Sequence, residues 1–343
     1  MDVSNLKSII KETLLPLVSS YKKTVYLDLP FHTNLGDLLI WLGTEYFLKE
    51  NSINCVYRNS VETSSKMDIH KDSLIFLHGG GNFGDVWRKH QEFRLQIVQK
   101  YINNRIIMFP QTVYYSDLEL MKHDAKIFSL HKDLFLCARD QVSYNILKEN
   151  FTNKVLLVPD MAFYIPQINF DKEILNKNET LYIRRVDGEI NELYDSYIKS
   201  SNCEVADWPT IGSDYERFKK FYSESTFKKI MGIFYNYERN SIDRFILNWY
   251  IYNYLLNLNK RCNNKFEKFV NNWTSRRLLQ SVLDIGINFL SRHKVVYSSR
   301  LHVCILCSIM DRSCVLIDNS YGKNYNFYKT WLQDDQNIKL FEK

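Results

Sequence analysis

The stretch FLHGGGNFGD, Phe76–Asp85, joins an apolar run to three consecutive glycines and then to Asn, Phe, Gly and Asp. The glycines stand where a strand should give way to a helix. A second stretch, NLGD (Asn34–Asp37), repeats the Asn-x-Gly-Asp spelling and also follows a strand-like run, TVYLDL (24–29). Glycine tolerates positive φ and lets a ligand approach the backbone closely. A helix beginning there presents unpaired N–H groups and a partial positive charge. The plainer reading makes Gly79, Gly80 and Gly81 a tight turn, with Asn82 and Asp85 capping the next helix. Two such turns at one sheet edge favour a binding role for Asn34, Gly36, Gly79, Gly80, Gly81 and Asn82.

The flanking pattern sets that edge. Strand-like runs at 24–29, 73–77, 105–109, 134–138 and 154–158 are short and apolar, as strands buried on both faces should be. Helical patterns at 37–50, 85–102, 117–130 and 140–149 lie between most of them. This alternation predicts a parallel sheet with helices on both faces, whose ligands bind at the carboxyl ends of the strands. VPDMAFYIP (158–166) closes the first unit. TLYIRR (180–185) and NCEVADW (202–208) open a second, and helix 275–291, strand 294–299, helix 301–310 and strand 314–318 complete it. The expectation is an α/β protein of two Rossmann-like domains facing across a cleft, residues 1–166 and 167–343.

Residues 211–280 differ from the rest. They hold thirteen Lys/Arg against six Asp/Glu, and 16 of the 50 aromatic residues, so they carry the whole of the chain's +6 excess. They read as a helical insertion in the second domain. It either packs on its own domain or offers a basic, aromatic face to a membrane.

With 45% hydrophobic and 24% charged residues the chain is globular rather than disordered. Its 343 residues suit two domains. The opening MDVSNLKSIIKETLLPLVSS lacks the pattern of a secretory signal, and no apolar run approaches the about 20 residues that span a bilayer. A cytoplasmic protein, in peripheral contact with the inner face of the membrane, is expected. Seven scattered cysteines fit that compartment. Cys304 and Cys307 form a C-x-x-C inside an apolar helix, without the second pair or nearby His that zinc requires, so core packing is the reading and no metal is expected. A basic excess confined to one insertion, with no RNA-binding motif, argues against nucleic acid.

SSRLHVCILC, Ser298–Cys307, holds the other conspicuous chemistry. Arg300 opposes the dipole of the helix it opens unless an anion compensates, and its planar fork fits carboxylate or phosphate. His302 can give a proton near neutral pH. Ser299, Arg184, Arg185 and Lys323 (in SYGKNY) add donors and charge to the same side; one of Arg184 and Arg185 faces the cleft, since strand neighbours point oppositely. Asp37 and Asp85 are the carboxylates that could hold or deprotonate a hydroxyl. A polyol acceptor on one side and a small anionic donor on the other would match this polarity.

NLGDLLIW, LHGGGNFGD, FPQTVYY (109–115), CARDQVSYNIL (137–147), VPDMAF (158–163) and SSRLHVCILCSI (298–309), in this order, resemble the polysaccharide pyruvyl transferase family. The resemblance implies a fold similar to the GT-B glycosyltransferases. It also implies transfer of pyruvate from phosphoenolpyruvate, a co-substrate in place of any cofactor, onto a hexose of a lipid-linked (polyprenyl-diphosphate) surface polysaccharide precursor as a cyclic ketal. By that resemblance Arg300 and His302 look like the donor-binding and catalytic pair, Asp85 is the aspartate after the triple glycine, and Arg184 or Arg185 is a donor ligand. Gln111 is followed by Thr-Val-Tyr-Tyr where the family often has Gly-Pro, which alters the acceptor edge. Two other readings remain open: a nucleotide-sugar glycosyltransferase of similar architecture and a non-catalytic glycan-binding protein.

Overall fold

A computed structural model describes residues 2–30, 34–61, 68–168, 180–185, 203–208 and 279–341. The basic insertion at 211–280 lies outside the described residues except for its last two, and with it the expected membrane-facing surface.

Two parallel sheets form. The first has seven strands: β1 Thr24–Leu27, β2 Cys55–Arg58, β3 Leu74–Leu77, β4 Gly80–Gly84, β5 Ile106–Tyr114, β6 Leu134–Ala138 and β7 Lys154–Leu157. Their order is β2-β1-β3-β5-β6-β7, with β4 paired to β5 off that path. The second has five strands, β8 Thr180–Ile183, β9 Glu204–Ala206, β10 Val295–Ser298, β11 Cys314–Leu316 and β12 Ile338–Leu340, in the order β12-β11-β10-β8-β9. Every pairing is parallel. The described helices are α1 Val3–Val18, α2 Leu35–Glu50, α3 Arg88–Lys100, α4 Leu118–Ser129, α5 Gln141–Asn150, α6 over 279–290, α7 Leu301–Ile309 and α8 Lys323–Phe327. A Rossmann-like α/β reading is correct at this level. Strands β1, β3 and β6 are buried along their whole length, which is why their sequences are unbroken apolar runs.

Side chains of α3, α4 and α5 cover one face of the first sheet through Phe93, Val98, Phe128 and Leu147. On the other face a single core runs from α1 and α2 through the short 3-10 turn Met161–Tyr164 and on to α7 and the second sheet. The helix α1 is amphipathic, burying Leu6, Ile10, Leu14 and Val18 at four-residue spacing. Gly43 lets α2 seat on that turn, since a Cβ there would lie 1.9 Å from the Met161 carbonyl oxygen. Cys304 and Cys307 are fully buried in α7, as the core reading of that pair expects.

The glycine stretch departs from expectation. It is not a turn into a helix running from 85. Gly80–Gly84 is itself a strand, in register with β5 at Gly80–Gln111, Phe83–Val113 and Gly84–Tyr114. The helix starts only at Arg88, behind Trp87, so neither Asn82 nor Asp85 caps it. Phe83 supplies the one large apolar side chain of β4, packed edge-on against Phe128 and Phe151. Gly84 has φ of 127° and touches β5 so closely that a Cβ would stand 1.8 Å from the Tyr114 carbonyl oxygen. The other Asn-x-Gly-Asp turn does open a helix: Asn34 caps α2, accepting from the Gly36 N–H at 3.0 Å.

Gly84→Ala should therefore unpair β4 from β5, lowering stability by about 2 kcal/mol or more, because both the backbone conformation and the contact oppose a Cβ. Chemical denaturation checks this; a midpoint unchanged from wild type would contradict the packing described.

Candidate active site

The carboxyl ends of both sheets supply the side chains that meet. Asn34 and Asp37 follow β1, Gly79–Gly81 follow β3, Arg139 follows β6 and Asp160 follows β7; Ser299, Arg300 and His302 follow β10, and Lys323 follows β11.

Arg139 and Asp160 form the centre. Both are wholly buried, and Nη1 of Arg139 donates to Oδ2 of Asp160 at 2.7 Å. Nε of Arg139 donates to the Thr112 hydroxyl at 2.8 Å, and its carbonyl accepts from the Trp331 indole at 2.7 Å. Nη2 is buried without a hydrogen-bond partner. That atom is aimed at the glycine strand: a Cβ on Gly81 would lie 3.0 Å from it and 2.8 Å from Nζ of Lys323. One cation from each sheet therefore converges on backbone that carries no side chain.

Asp160 also faces His302. Nε2 of His302 lies 3.4 Å from Oδ2 of Asp160 without completing a hydrogen bond. Burial alone would raise the Asp160 carboxyl, but the charges of His302 and Arg139 and the Ala162 N–H hold it well below the usual carboxylate range. It is thus an ionised counter-charge for Arg139, with His302 beside it. On its other side His302 abuts α2, where a Cβ on Gly36 would come within 2.6 Å of Nδ1. Asp37 bridges the two glycine stretches: Oδ2 accepts from the Asn34 amide at 2.9 Å, and Oδ1 would lie 3.5 Å from a Cβ on Gly80.

A buried network holds the glycine strand from behind. Asp28, just after β1, adopts a positive φ of 61° and accepts from Arg94 Nε at 2.7 Å, with His90 Nδ1 also at 2.7 Å. Arg94 in turn donates to both oxygens of Asn82, the backbone carbonyl at 3.1 Å and Oδ1 at 2.6 Å. Burial would raise Asp28, yet Arg94 and His90 keep it below its ordinary value, so the pair stays charged. Gln111 adds a bond from Nε2 to the His78 carbonyl at 2.6 Å.

Other expected site residues lie elsewhere or are already engaged. Asp85 is anchored to the loop after β5: its Oδ2 accepts from Ser116 N, Ser116 Oγ and Asp117 N at 2.6, 2.8 and 2.9 Å. Burial works against ionisation there, and the bonds from Asp117 and Ser116 overcome it, lowering the pKa. The Arg300 fork is filled by Asp207, with Nε and Nη2 donating at 2.6 and 2.7 Å to its two oxygens. That carboxylate is the anion that offsets a cation at the start of α7. Ser299 is buried and takes the Arg185 N–H at 3.3 Å, while the Arg184 N–H bonds to Ala206, so these residues join β10, β8 and β9 at their ends. Arg139 and Asp160 were not anticipated as functional. Each stands near the start of a quoted motif, just past a strand's carboxyl end, which is the signal that could have found them.

Among the described residues, no helix is long and apolar enough to cross a membrane. Residues 34–321 match the family model described as polysaccharide pyruvyl transferase. The chain is 30% identical over 334 residues to the Bacillus subtilis protein named "Putative pyruvyl transferase EpsO", covering 96% of this chain and 91% of that one. It is 26% identical over 326 residues to pyruvyl transferase 1 of Schizosaccharomyces pombe, covering 91% of this chain and 70% of that one. A crystal structure of a functionally uncharacterised Klebsiella pneumoniae protein shares the fold, with a TM-score of 0.55 at 20% identity over 99% of both chains. The chain belongs to the polysaccharide pyruvyl transferase family.

Proposed function

We propose that this protein moves the pyruvyl group of phosphoenolpyruvate onto two hydroxyls of a hexose in a surface-polysaccharide precursor, forming a cyclic ketal. The observation that carries the reading is the buried, unpartnered Nη2 of Arg139 beside Nζ of Lys323, against Gly81. A small dianion fits such a place: two cations neutralise it and a side-chain-free strand lets it approach the backbone. In this reading residues 1–166 supply the acceptor side and residues 167–343 most of the donor side, facing each other in the GT-B manner.

The chemistry follows from the neighbours of that anion. The phosphate and carboxylate of the donor sit on Arg139 and Lys323. His302, charge-balanced by Asp160 through Nε2, gives a proton from Nδ1 to the methylene carbon. The carbon bearing the phosphate then becomes oxocarbenium-like. A sugar hydroxyl held by Asp37 attacks it and gives its proton to that carboxylate, phosphate departs with the C–O bonding pair, and a second hydroxyl closes the ketal as its proton passes to the now neutral His302. Asp85 has no part in this scheme, being tied to Ser116 and Asp117. Arg300 would reach the donor only by exchanging Asp207 for it. The excess positive charge of 211–280 supports an acceptor carried on a polyprenyl diphosphate at an anionic membrane.

His302→Ala should lower turnover by about 10²–10⁴, the usual worth of a positioned acid, while the fold persists. Phosphate release from phosphoenolpyruvate in the presence of a galactoside measures it, and turnover within a few-fold of wild type would remove His302 from the mechanism. Lys323→Ala should chiefly raise KM for phosphoenolpyruvate, by about 10- to 100-fold for one lost charged hydrogen bond. A drop in kcat with unchanged KM would contradict a donor-binding role. Phosphate release that instead required a nucleotide-sugar would favour the glycosyltransferase reading.

A further inference from the structure

Tyr114 and Tyr321 meet from opposite sheets. Tyr114 ends β5, and Tyr321 stands two residues before Lys323. Their ring centroids are 5.1 Å apart with the planes inclined at 44°. Tyr114 keeps 38% of its surface exposed despite that contact, and Trp87, three residues beyond the Gly84–Tyr114 pair, keeps 54%. An exposed ring alone is ordinary surface, whereas aromatic rings gathered beside a polar site mark a place where a ligand can lie. These rings are also held in place. The Tyr114 carbonyl accepts from Asp85 N at 3.3 Å, and Asp85 binds the chain again at Ser116 and Asp117. This gives Asp85 a purpose its position alone does not explain: it fixes the backbone that carries Tyr114.

The location selects the occupant. Lys323 Nζ reaches Gly81 on β4, and Tyr114 lies opposite Gly84 on the same strand, three residues further along. The ring pair therefore lies three residues along β4 from Gly81, on the strand that Arg139 and Lys323 approach. A surface meeting lipid or another protein would not need to be continuous with an anion site. A hexose does, because its hydroxyls must enter while its apolar C–H face needs a partner outside. A flat aromatic face with a polar edge meets both needs, and two χ angles make it cheap to order.

The geometry points to Tyr114, buttressed by Tyr321, as the platform on which the pyranose ring of the acceptor stacks. The assignment deepens the proposed reaction and rests on it for the identity of the ligand. Its test is arranged so that the two can fail separately. Saturation-transfer NMR with methyl glycosides of galactose, glucose, mannose and N-acetylglucosamine reads sugar binding without needing turnover. Wild type should transfer saturation to ring C–H protons of at least one glycoside; Tyr114→Ala should lose it and Tyr114→Phe should keep it. With that glycoside as acceptor, Tyr114→Ala should raise its KM about tenfold and leave KM for phosphoenolpyruvate within about twofold. Unchanged glycoside binding in Tyr114→Ala would overturn the platform, as would an equal rise in both KM values or no transfer from any glycoside to wild type. Loss of vesicle binding in Tyr114→Ala with sugar binding intact would assign the rings to a membrane instead. Sugar binding without phosphate release by wild type would leave the platform standing and defeat the pyruvyl transfer.

Discussion

The ion pair between Arg139 and Asp160 is the constraint on which the site depends. Two charges with no exposure lose their hydration, and a 2.7 Å contact returns only part of it. Hydrophobic side chains of similar volume would hold strands β6 and β7 together at less cost. The arrangement makes sense through what the pair leaves over. Asp160 is shared with His302, and one nitrogen of Arg139 remains unbonded at the glycine strand. The same carboxylate thus pairs with Arg139 and faces His302, and it links the first sheet to helix α7 of the second.

Glycine makes this centre reachable. Gly36 gives His302 room against α2, and Gly81 gives Arg139 and Lys323 room against β4. With bulkier residues the two sheets could not bring their carboxyl ends so close. Behind the strand, the Asp28–Arg94–Asn82 network adds to the β5 pairing and makes up for side-chain packing that the glycines cannot supply. The backbone at the site is therefore held by buried charge and the space in front of it stays open.

How much of this was legible depends on the kind of signal. Strands β1, β3, β6 and β10 announce themselves as apolar runs because the sheet buries them. Strand β4 does not, since glycines have no periodicity and its pairing exists only beside β5, whose Pro110 falls within an irregularity of the pairing with β6. Helix α1 was readable from Leu6, Ile10, Leu14 and Val18 but offered no functional residue that drew attention to it. His302, Asn34, Gly36 and Lys323 were singled out by motif, and the structure sets His302 against Gly36 and Lys323 against Gly81. Arg139 and Asp160 lie inside motifs that carry the family resemblance but drew no role of their own; only three dimensions reveal the unbonded nitrogen. The carboxylate that occupies Arg300 lies 93 residues away in sequence, beyond the reach of any local pattern.

The most direct test is a crystal structure with phosphoenolpyruvate or its unreactive analogue phospholactate bound. The anion should lie against Gly81, with an oxygen within hydrogen-bond distance of both Arg139 Nη2 and Lys323 Nζ, and the methylene or methyl carbon should face His302. An anion bound at Arg300 in place of Asp207, with Arg139 Nη2 still bare, would contradict the account.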